Sequence, residues 1–309
     1  STVPSNGDVN PHGVVFIPSM GFKCTTLTSS SILVTNFNNA ADIQGTGTTI
    51  SLLDSSKPGT STADTFYDSS TYIGLVTLNL LSSGYIRVGN VATNRTTGDV
   101  LPGVIQVLDC NANVVATLNS TSGVTHPWGV TVFETVSSVT LFVSNVIEGN
   151  VVRINLPNNP PTFADAQSTI IATGYTTSPS ASAFVVGPAG SAYNAASDTL
   201  YVAAEGDNQI YAISSASTRT TAVTMGTLVY ADQAHLHGPL GLVFTPKGNL
   251  LVANADSVSV GGGAPSTLTE FTTSGSWVAS LSIDQSNRGA FQLAYGSMPS
   301  LSVTGVLGR

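Results

Sequence analysis

The segment PWGVTVFETVSSVTLFVSN, residues 127–145, contains both halves of a unit that recurs along this chain of 309 residues. A Pro-x-Gly opening leads into one apolar stretch, and a second apolar stretch ends in Asn145. Three further copies keep this opening and two more have a degenerate form of it: Pro11-His12-Gly13, Pro188-Ala189-Gly190 and Pro239-Leu240-Gly241, then Tyr72-Ile73-Gly74 and Ala290-Phe291-Gln292. The sequence therefore contains six copies of one unit.

The spacing of these copies predicts the fold. The second stretches end at positions 36, 90, 145, 204, 254 and 305, which are 50 to 59 residues apart. A period of this size, with strand-like alternation and no helical pattern, is typical of a β-propeller with four-stranded blades. We therefore predict an all-β, six-bladed β-propeller in a single domain, 1–309, with blades at approximately 11–70, 71–125, 126–185, 186–236, 237–288 and 289–309 plus an N-terminal strand.

The sixth predicted blade is incomplete. After the apolar runs at 292–295 and 301–304, the sequence offers no segment for a third and an outer strand. The residues before Pro11 supply at most one outer strand, through Thr2-Val3-Pro4. Because an unpaired sheet edge recruits further strands, we expect either a longer mature protein or self-association through this edge.

Composition restricts the classes of partner. Charged residues make up 8% of the chain and the formal net charge is -8. Nucleic-acid binding and attraction to an anionic membrane are disfavoured, because both need a basic surface. No apolar run reaches the length of a membrane span. A surface built from Ser, Thr, Asn and Gly is seldom cytosolic, so we predict an extracellular, cell-surface or periplasmic location.

Residues of the repeat have structural interpretations. The glycine of each opening lets inner strands converge, since a residue without a side chain permits close backbone approach. An asparagine that ends a second strand satisfies backbone groups where the chain turns, as at Asn36, Asn90, Asn145 and Asn254. The two cysteines, Cys24 and Cys110, either form one disulfide between neighbouring blades or pack as separate small side chains.

The patterns at 198–203 (DTLYVA) and 206–211 (GDNQIY), together with the Pro-x-Gly openings, resemble NHL-type six-bladed propellers. They are also similar to the broad group of gluconolactonase/regucalcin-like and peptidyl-hydroxyglycine lyase-like proteins. A closer likeness, carried by residues 32–39 and 219–241, is to uncharacterised secreted bacterial propellers. The resemblance covers nearly the whole chain at the level of the repeat, and it implies a fold rather than an activity.

Histidines suggest one kind of metal site. His12, His126 and His237 lie at the entrances of the first, third and fifth predicted blades. The lyase-like propellers hold zinc with histidines near the axis, so the resemblance implies a zinc site here. These histidines precede the aligned glycine by one, three and four residues respectively, which argues against convergence. The alternative to a metal site is that these histidines lie at the rim with their hydrogen bonds satisfied.

Oxygen ligands suggest another kind of site. Regucalcin-like propellers bind a divalent ion on the axis through Glu, Asp and Asn, and Asn90, Asn145, Glu205 and Asn254 occupy predicted strand ends at one rim. Such ligands suit calcium. The early Glu of that family has no counterpart in the stretch 16–18 (FIP). A divalent cation, calcium or zinc, is the only cofactor that the sequence suggests.

Aromatic residues suggest a ligand surface. Trp128 and Phe291 precede inner strands, as His12 does, and together they could offer a stacking surface for a sugar or another flat ligand. The alternative is that they close the central channel of the predicted propeller.

We therefore predict a binding or assembly module that contacts a protein, peptide or carbohydrate through its rim loops. One alternative is a metal-dependent hydrolase or lyase with its site at the axial rim. Another is a structural component of a surface layer or fibre, joined at the open sixth blade.

Overall fold

The computed structural model describes residues 1–57, 63–180, 184–254, 266–284, 291–298 and 301–306. In these ranges the secondary structure comprises 27 strands and three 3-10 helices of one turn each. The chain divides into two compact units, one built mainly from Ser1–Pro127 and the other mainly from Trp128–Leu293. Within the described ranges there is no helix long and apolar enough to cross a membrane.

The first unit contains two four-stranded antiparallel sheets. The first sheet has the order β1-β2-β3-β4, from β1 (Val9–Phe16), β2 (Ser31–Asn38), β3 (Thr49–Asp54) and β4 (Asp64–Asp68). The second sheet follows with β5 (Leu75–Leu80), β6 (Ile86–Asn90), the short pair β7 (Ala92–Thr93) and β8 (Val100–Leu101), then β9 (Ile105–Leu108) and β10 (Val114–Leu118). Its order is β10-β9-β6-β5, and the 3-10 helix Ser120–Ser122 comes after it.

The second unit contains three main sheets. The third sheet consists of β11 (Pro127–Glu134), β12 (Ser138–Asn145), β13 (Asn150–Pro157) and β14 (Gln167–Thr173), with the 3-10 helix Phe163–Asp165 before β14, and its fifth strand is β20 (Val223–Thr224) from later in the chain. A short pair, β15 (Ser178–Ser180) and β16 (Phe184–Val186), leads into the fourth sheet. That sheet contains β17 (Pro188–Asn194), β18 (Thr199–Ala204), the 3-10 helix Glu205–Asp207, β19 (Gln209–Ser214) and, after the short β20 (Val223–Thr224), β21 (Thr227–Ala231). The fifth sheet has the order β22-β23-β24-β25, from β22 (Pro239–Phe244), β23 (Leu250–Asn254), β24 (Ser266–Phe271) and β25 (Trp277–Asp284).

These five sheets follow the predicted blades in order, and their up-and-down connections are those of an all-β propeller. The segment predicted as the sixth blade contributes a two-stranded sheet of β26 (Leu293–Met298) and β27 (Leu301–Val306). The described residues therefore contain five blades, and the prediction of a sixth is not confirmed. Ala290, the first residue of the sixth opening, lies outside the described residues.

The predicted N-terminal outer strand is wrong, because residues 1–8 form no strand. The N-terminal segment instead lies along the first sheet. The carbonyl of Thr2 accepts a hydrogen bond from Ser51 Oγ at 2.8 Å, and the Val3 carbonyl accepts one from Ala63 N–H at 3.0 Å. Asp8 Oδ2 then accepts from the backbone N–H of Thr48 at 2.7 Å, which fixes the start of β1.

The Pro-x-Gly opening is an irregularity in the inner strand. In the fifth sheet Pro239 pairs with Asn254, the register then shifts, and regular pairing resumes at Leu242. The same shift follows Pro11 in β1 and Pro188 in β17. Such a bulge bends the inner strand and increases its twist. The two ends of the repeated unit are thus cross-strand partners in one hairpin.

The glycine of the opening permits neighbouring inner strands to approach. A Cβ on Gly129 would lie 2.1 Å from the carbonyl oxygen of Ala189, and one on Gly190 would lie 2.3 Å from that of Leu240. Both distances are well inside van der Waals contact, so any side chain would push the strands apart. The predicted role of this glycine is confirmed at these positions.

Within each unit, the core lies between successive sheets. Along β18, Leu200 and Val202 pack into a cluster with Phe142 and Ile171 of the third sheet. The alternate residues, Tyr201 and Ala203, join a cluster with Leu242, Val252 and Phe271 of the fifth sheet. A strand in the middle of this unit therefore buries both of its faces, as expected where sheets stack face to face.

The third and fourth sheets are joined by more than packing. The outer edge of β14 pairs in parallel with β20, which belongs to the connection between β19 and β21. Arg153 of β13 is buried and donates from Nη1 to the carbonyls of Ala216 and Arg219 at 3.2 and 2.8 Å, in the same connection. Burial lowers the pKa of Arg153.

Cys24 and Cys110 form a disulfide, with their Cα atoms 5.7 Å apart. Cys24 lies between β1 and β2, and Cys110 follows β9, so the bond joins the first and second sheets across 86 residues of sequence. A cross-link over so long a segment restricts the unfolded chain strongly.

Replacing both cysteines, Cys24→Ala with Cys110→Ala, should lower the free energy of unfolding by about 2–4 kcal/mol. Chemical denaturation of both proteins with and without a reductant measures the effect. The reductant should lower the denaturation midpoint of the unmodified protein only. Equal midpoints for the two proteins without reductant would contradict the assignment.

His12 is buried in the first sheet, and its ring packs against Phe37 with centroids 4.9 Å apart. Burial lowers its pKa from 6.5 to about 3. The folded state therefore resists protonation at a pH where the unfolded chain accepts a proton. This neutral histidine contributes stability near neutral pH that is lost as the pH falls from about 6.5 towards 3.

A His12→Gln variant should be less sensitive to acid than the unmodified protein. Between about pH 7 and pH 4.5, protonation of this histidine should cost the unmodified protein about 2–3 kcal/mol of stability, and Gln removes that loss. Urea denaturation at both pH values measures the difference. An identical loss in the two proteins would show that His12 is protonated without penalty.

Candidate functional site

The asparagines that end second strands are buried and hydrogen-bonded to backbone. Asn90 Nδ2 donates to the carbonyl of Ile73 at 3.0 Å, and its Oδ1 accepts from the N–H of Val104 at 2.9 Å. Ile73 precedes the inner strand of the sheet and Val104 precedes the third strand. The side chain thus connects the segment before β5 to the segment before β9. The sequence predicted only that it would satisfy backbone groups in a turn.

Asn254 of the fifth sheet also bonds backbone groups, but both of them precede the inner strand β22. Its Oδ1 accepts from the N–H of His237 at 3.1 Å, and its Nδ2 donates to the carbonyl of His235. The fourth sheet ends its second strand in Ala204, and there Asn208 takes over, bonding Gly238 N–H and the Leu236 carbonyl, each at 2.9 Å. Both asparagines therefore hold the segment before β22.

The predicted oxygen ligands occupy strand ends as expected, although the amides have structural partners. Asn145 Nδ2 donates to Asn150 Oδ1 at 3.0 Å, across the hairpin of β12 and β13. Glu205 begins the 3-10 helix after β18 and its side chain is only 3% exposed. Asp207 of the same helix accepts from Thr176 Oγ1 at 2.6 Å. Among the predicted oxygen ligands, the buried carboxylate of Glu205 is therefore the best candidate for binding a cation.

The predicted histidines have different environments. His12 and His126 are both buried, in the first unit, whereas His237 belongs to the second unit and is partly exposed. The pKa of His237 is lowered by partial burial and by the neighbouring His235. Among the described residues, no group of three or more His, Cys, Asp or Glu side chains is arranged to hold a metal ion. A site that combines the three histidines stays a prediction.

The predicted aromatic surface is largely enclosed. Trp128 is only 5% exposed, and Phe291 is partly buried. A ligand could stack on the indole of Trp128 only after its neighbours moved. The sequence left two roles open for these residues, a stacking surface or a seal of the channel. Their burial agrees better with the seal than with a stacking surface.

A cavity that the sequence did not predict lies beside the start of β1. Its volume is about 290 Å³, and its lining combines apolar and polar side chains: Thr2, Val3, Val9, Asn10, Pro11, Ala40 and Asp42. The N-terminal segment forms one wall and the loop between β2 and β3 forms another. Most ligand pockets share this composition, with apolar walls and a few fixed polar groups.

The polar groups of the cavity are held in place. Asp42 Oδ1 accepts a hydrogen bond from Asn38 Nδ2 at 2.7 Å. Asn10 and Asp42 both have left-handed backbones, with φ of 59° and 58°, which Asn and Asp adopt more readily than other non-glycine residues. The only sequence signal for this site is the polar stretch 38–42 (NNAAD) after β2, a composition that is also typical of ordinary loops.

Comparison with known proteins identifies the fold. The sequence matches no protein-family model, and no curated protein matches it significantly. Virginiamycin B lyase from Staphylococcus aureus is similar in structure, with a TM-score of 0.54 and 14% identity over 94% of this chain and 75% of its own. A gluconolactonase from Xanthomonas campestris has a TM-score of 0.55 and 11% identity over 94% of this chain and 80% of its own. A glucose dehydrogenase-type oxidoreductase from Thermus thermophilus has a TM-score of 0.54 and 13% identity over 96% of this chain and 90% of its own. These structures are β-propellers, and at such identities the likeness supports the fold and carries no activity over to this chain.

Proposed function

We propose that this propeller is an extracellular binding module whose ligand contacts come from loops at strand ends. The observation that carries the proposal is the cavity beside β1, whose lining combines apolar side chains with the polar residues Asn10 and Asp42. An extracellular location is supported by the disulfide and by a surface with few charges. We also infer that β26 and β27 begin a sixth blade, since Gly241 lies beside Phe291–Leu293 much as Gly190 lies beside Leu240.

The chemistry of the cavity selects its ligand. Val3, Val9 and Pro11 offer apolar walls, and Asp42 supplies a carboxylate at the edge. A compact apolar group that carries a cationic or hydrogen-bond-donating end complements both features. An anionic end would face the Asp42 carboxylate and be repelled. We therefore propose a small amine, or the equivalent side chain of a peptide, as the ligand class.

Benzylammonium is a suitable probe because it combines a compact ring with an ammonium group. It should bind the unmodified protein more tightly than benzoate, and Asp42→Asn should remove most of that preference. Ala40→Phe, which fills the cavity, should abolish binding of the probe. Chemical-shift changes in NMR titrations measure each affinity.

The matched control is Val136→Phe, which adds the same side chain at a residue that is exposed in the turn after β11. This variant should bind the probe as the unmodified protein does. If Ala40→Phe binds benzylammonium unchanged, or if benzoate binds as well as benzylammonium, the proposed use of the cavity is wrong.

A metal-dependent hydrolase or lyase is the second candidate, and the burial of Glu205 favours it. Glu205 presents a carboxylate that is almost fully removed from water at the end of a strand, and a bound cation would stabilise its charge there. Carboxylate and amide oxygens are ligands that calcium prefers. A cation held there would polarise a carbonyl or activate water in such an enzyme.

If Glu205 binds a cation, the purified protein should contain about one equivalent of calcium or zinc by elemental mass spectrometry. Glu205→Gln should lower that content, because the variant loses the ligand charge while keeping its size. Asp207→Asn is the control, since Asp207 is engaged by Thr176. Equal metal content in unmodified protein and Glu205→Gln would exclude this site.

A further inference from the structure

The outer strand of the fifth sheet presents an exposed tryptophan. Trp277 begins β25 and is 47% exposed, whereas Trp128, the other tryptophan of the chain, is buried. An indole ring is the most costly side chain to leave in water by area, and aromatic residues that remain exposed often take part in recognition. This tryptophan lies far along the sequence from every residue of the cavity beside β1.

Polar side chains from a neighbouring segment surround Trp277. The imidazole of His235 stacks on the indole, with ring centroids 4.7 Å apart and planes at 29°. His235 Nδ1 is 2.6 Å from Asp232 Oδ2, and the hydroxyl of Tyr230 donates to the same oxygen at 2.8 Å. These four residues form a cluster that we call the Trp277 cluster.

The fold holds this cluster in one geometry. The ring of Tyr230 packs on Phe271 of β24 with centroids 4.0 Å apart. Gly275, in the turn before β25, is so close to β21 that a Cβ there would lie 2.1 Å from the Val229 carbonyl oxygen. The indole Nε1 donates to Ser280 Oγ at 3.1 Å. The outer edges of the fourth and fifth sheets therefore meet at the cluster and keep its groups preorganised.

The cluster offers hydrogen-bond acceptors from His235 and Asp232. In the tautomer whose Nδ1–H donates to Asp232, the Nε2 atom of His235 carries a lone pair, and none of the described residues donates to it. The Asp232 carboxylate is partly exposed, and hydrogen bonds from Ala234 N–H, His235 and Tyr230 lower its pKa to about 2. It is therefore ionised across the ordinary pH range.

We propose that the Trp277 cluster is a carbohydrate-binding site, in which a neutral pyranose ring packs on the part of the indole that His235 leaves exposed and its hydroxyl groups donate to Asp232 and His235 Nε2. A pyranose has an apolar face of C–H groups and a rim of hydroxyls, so it complements an exposed indole with hydrogen-bond acceptors nearby. An aliphatic ligand would leave those acceptors unpaired. The site is independent of the cavity beside β1 and of any metal.

Fluorescence provides a direct test, because a Trp128→Phe variant has Trp277 as its only tryptophan. Titration of this variant with cellohexaose, laminarihexaose and mannohexaose should give a saturable change in emission for at least one of the three. Affinity electrophoresis of the protein with native tryptophans, in gels that contain the matching polysaccharides, should show retardation by the same sugar.

Substitutions locate the binding. Trp277→Ala should weaken sugar binding by at least about tenfold, and Asp232→Asn by about fivefold, which corresponds to roughly 1 kcal/mol or more in each case. Leu281→Ala is the matched control, since Leu281 is 61% exposed on the same strand and does not belong to the cluster. Its affinity should stay within about twofold of the unmodified protein.

Three results would overturn the proposal. The first is that none of the three sugar series binds, by either method. The second is that Trp277→Ala binds as well as Leu281→Ala, with circular dichroism showing both variants folded. The third is that tetramethylammonium quenches Trp277 saturably while the sugars do not, which would make the cluster a cation site.

Discussion

The close approach of successive inner strands at the Pro-x-Gly bulge is the constraint on which the rest of this fold depends. Gly129 meets Ala189 and Gly190 meets Leu240 at distances that leave no room for a side chain. The preceding proline has no N–H to leave unpaired and opposes the end of the second strand, so each hairpin starts in a fixed register. That register decides which residues of a strand such as β18 face the sheet before it and which face the sheet after it.

Much of this architecture was predictable because it is periodic. The predicted blades at 126–185, 186–236 and 237–288 contain the observed strands β11–β14, β17–β21 and β22–β25 respectively. The features that were missed depend on single tertiary contacts. The N-terminal segment follows the first sheet because Asp8 finds the N–H of Thr48, forty residues away, and no pattern in residues 1–8 signals that contact. Likewise, Trp277 meets His235 only because two sheets converge at Gly275.

The candidate sites were less predictable than the fold for a related reason. Residues chosen from their position in the repeat, such as Asn90 and Asn254, prove to be engaged in the hydrogen bonds that make the repeat possible. The choice of residues at strand ends therefore identified asparagines with a structural role as well as the buried Glu205. The cavity beside β1 and the Trp277 cluster combine residues of the repeat, such as Pro11 and Trp277, with residues of the N-terminal segment, the β2–β3 loop and the connection after β21. Because part of each grouping lies outside the repeat, the repeat alone does not predict either of them.

The pairing of β20 with β14 gives one part of the molecule a distinct mechanical character. Two bonded elements, this short parallel ladder and the contacts of Arg153 with the Ala216 and Arg219 carbonyls, anchor the β19–β21 connection to the third sheet. The third sheet cannot expose the outer edge of β14 without releasing a segment of the fourth. These two sheets should therefore open together as one cooperative unit, with shared rates of amide exchange, while a blade joined by packing alone can fray by itself.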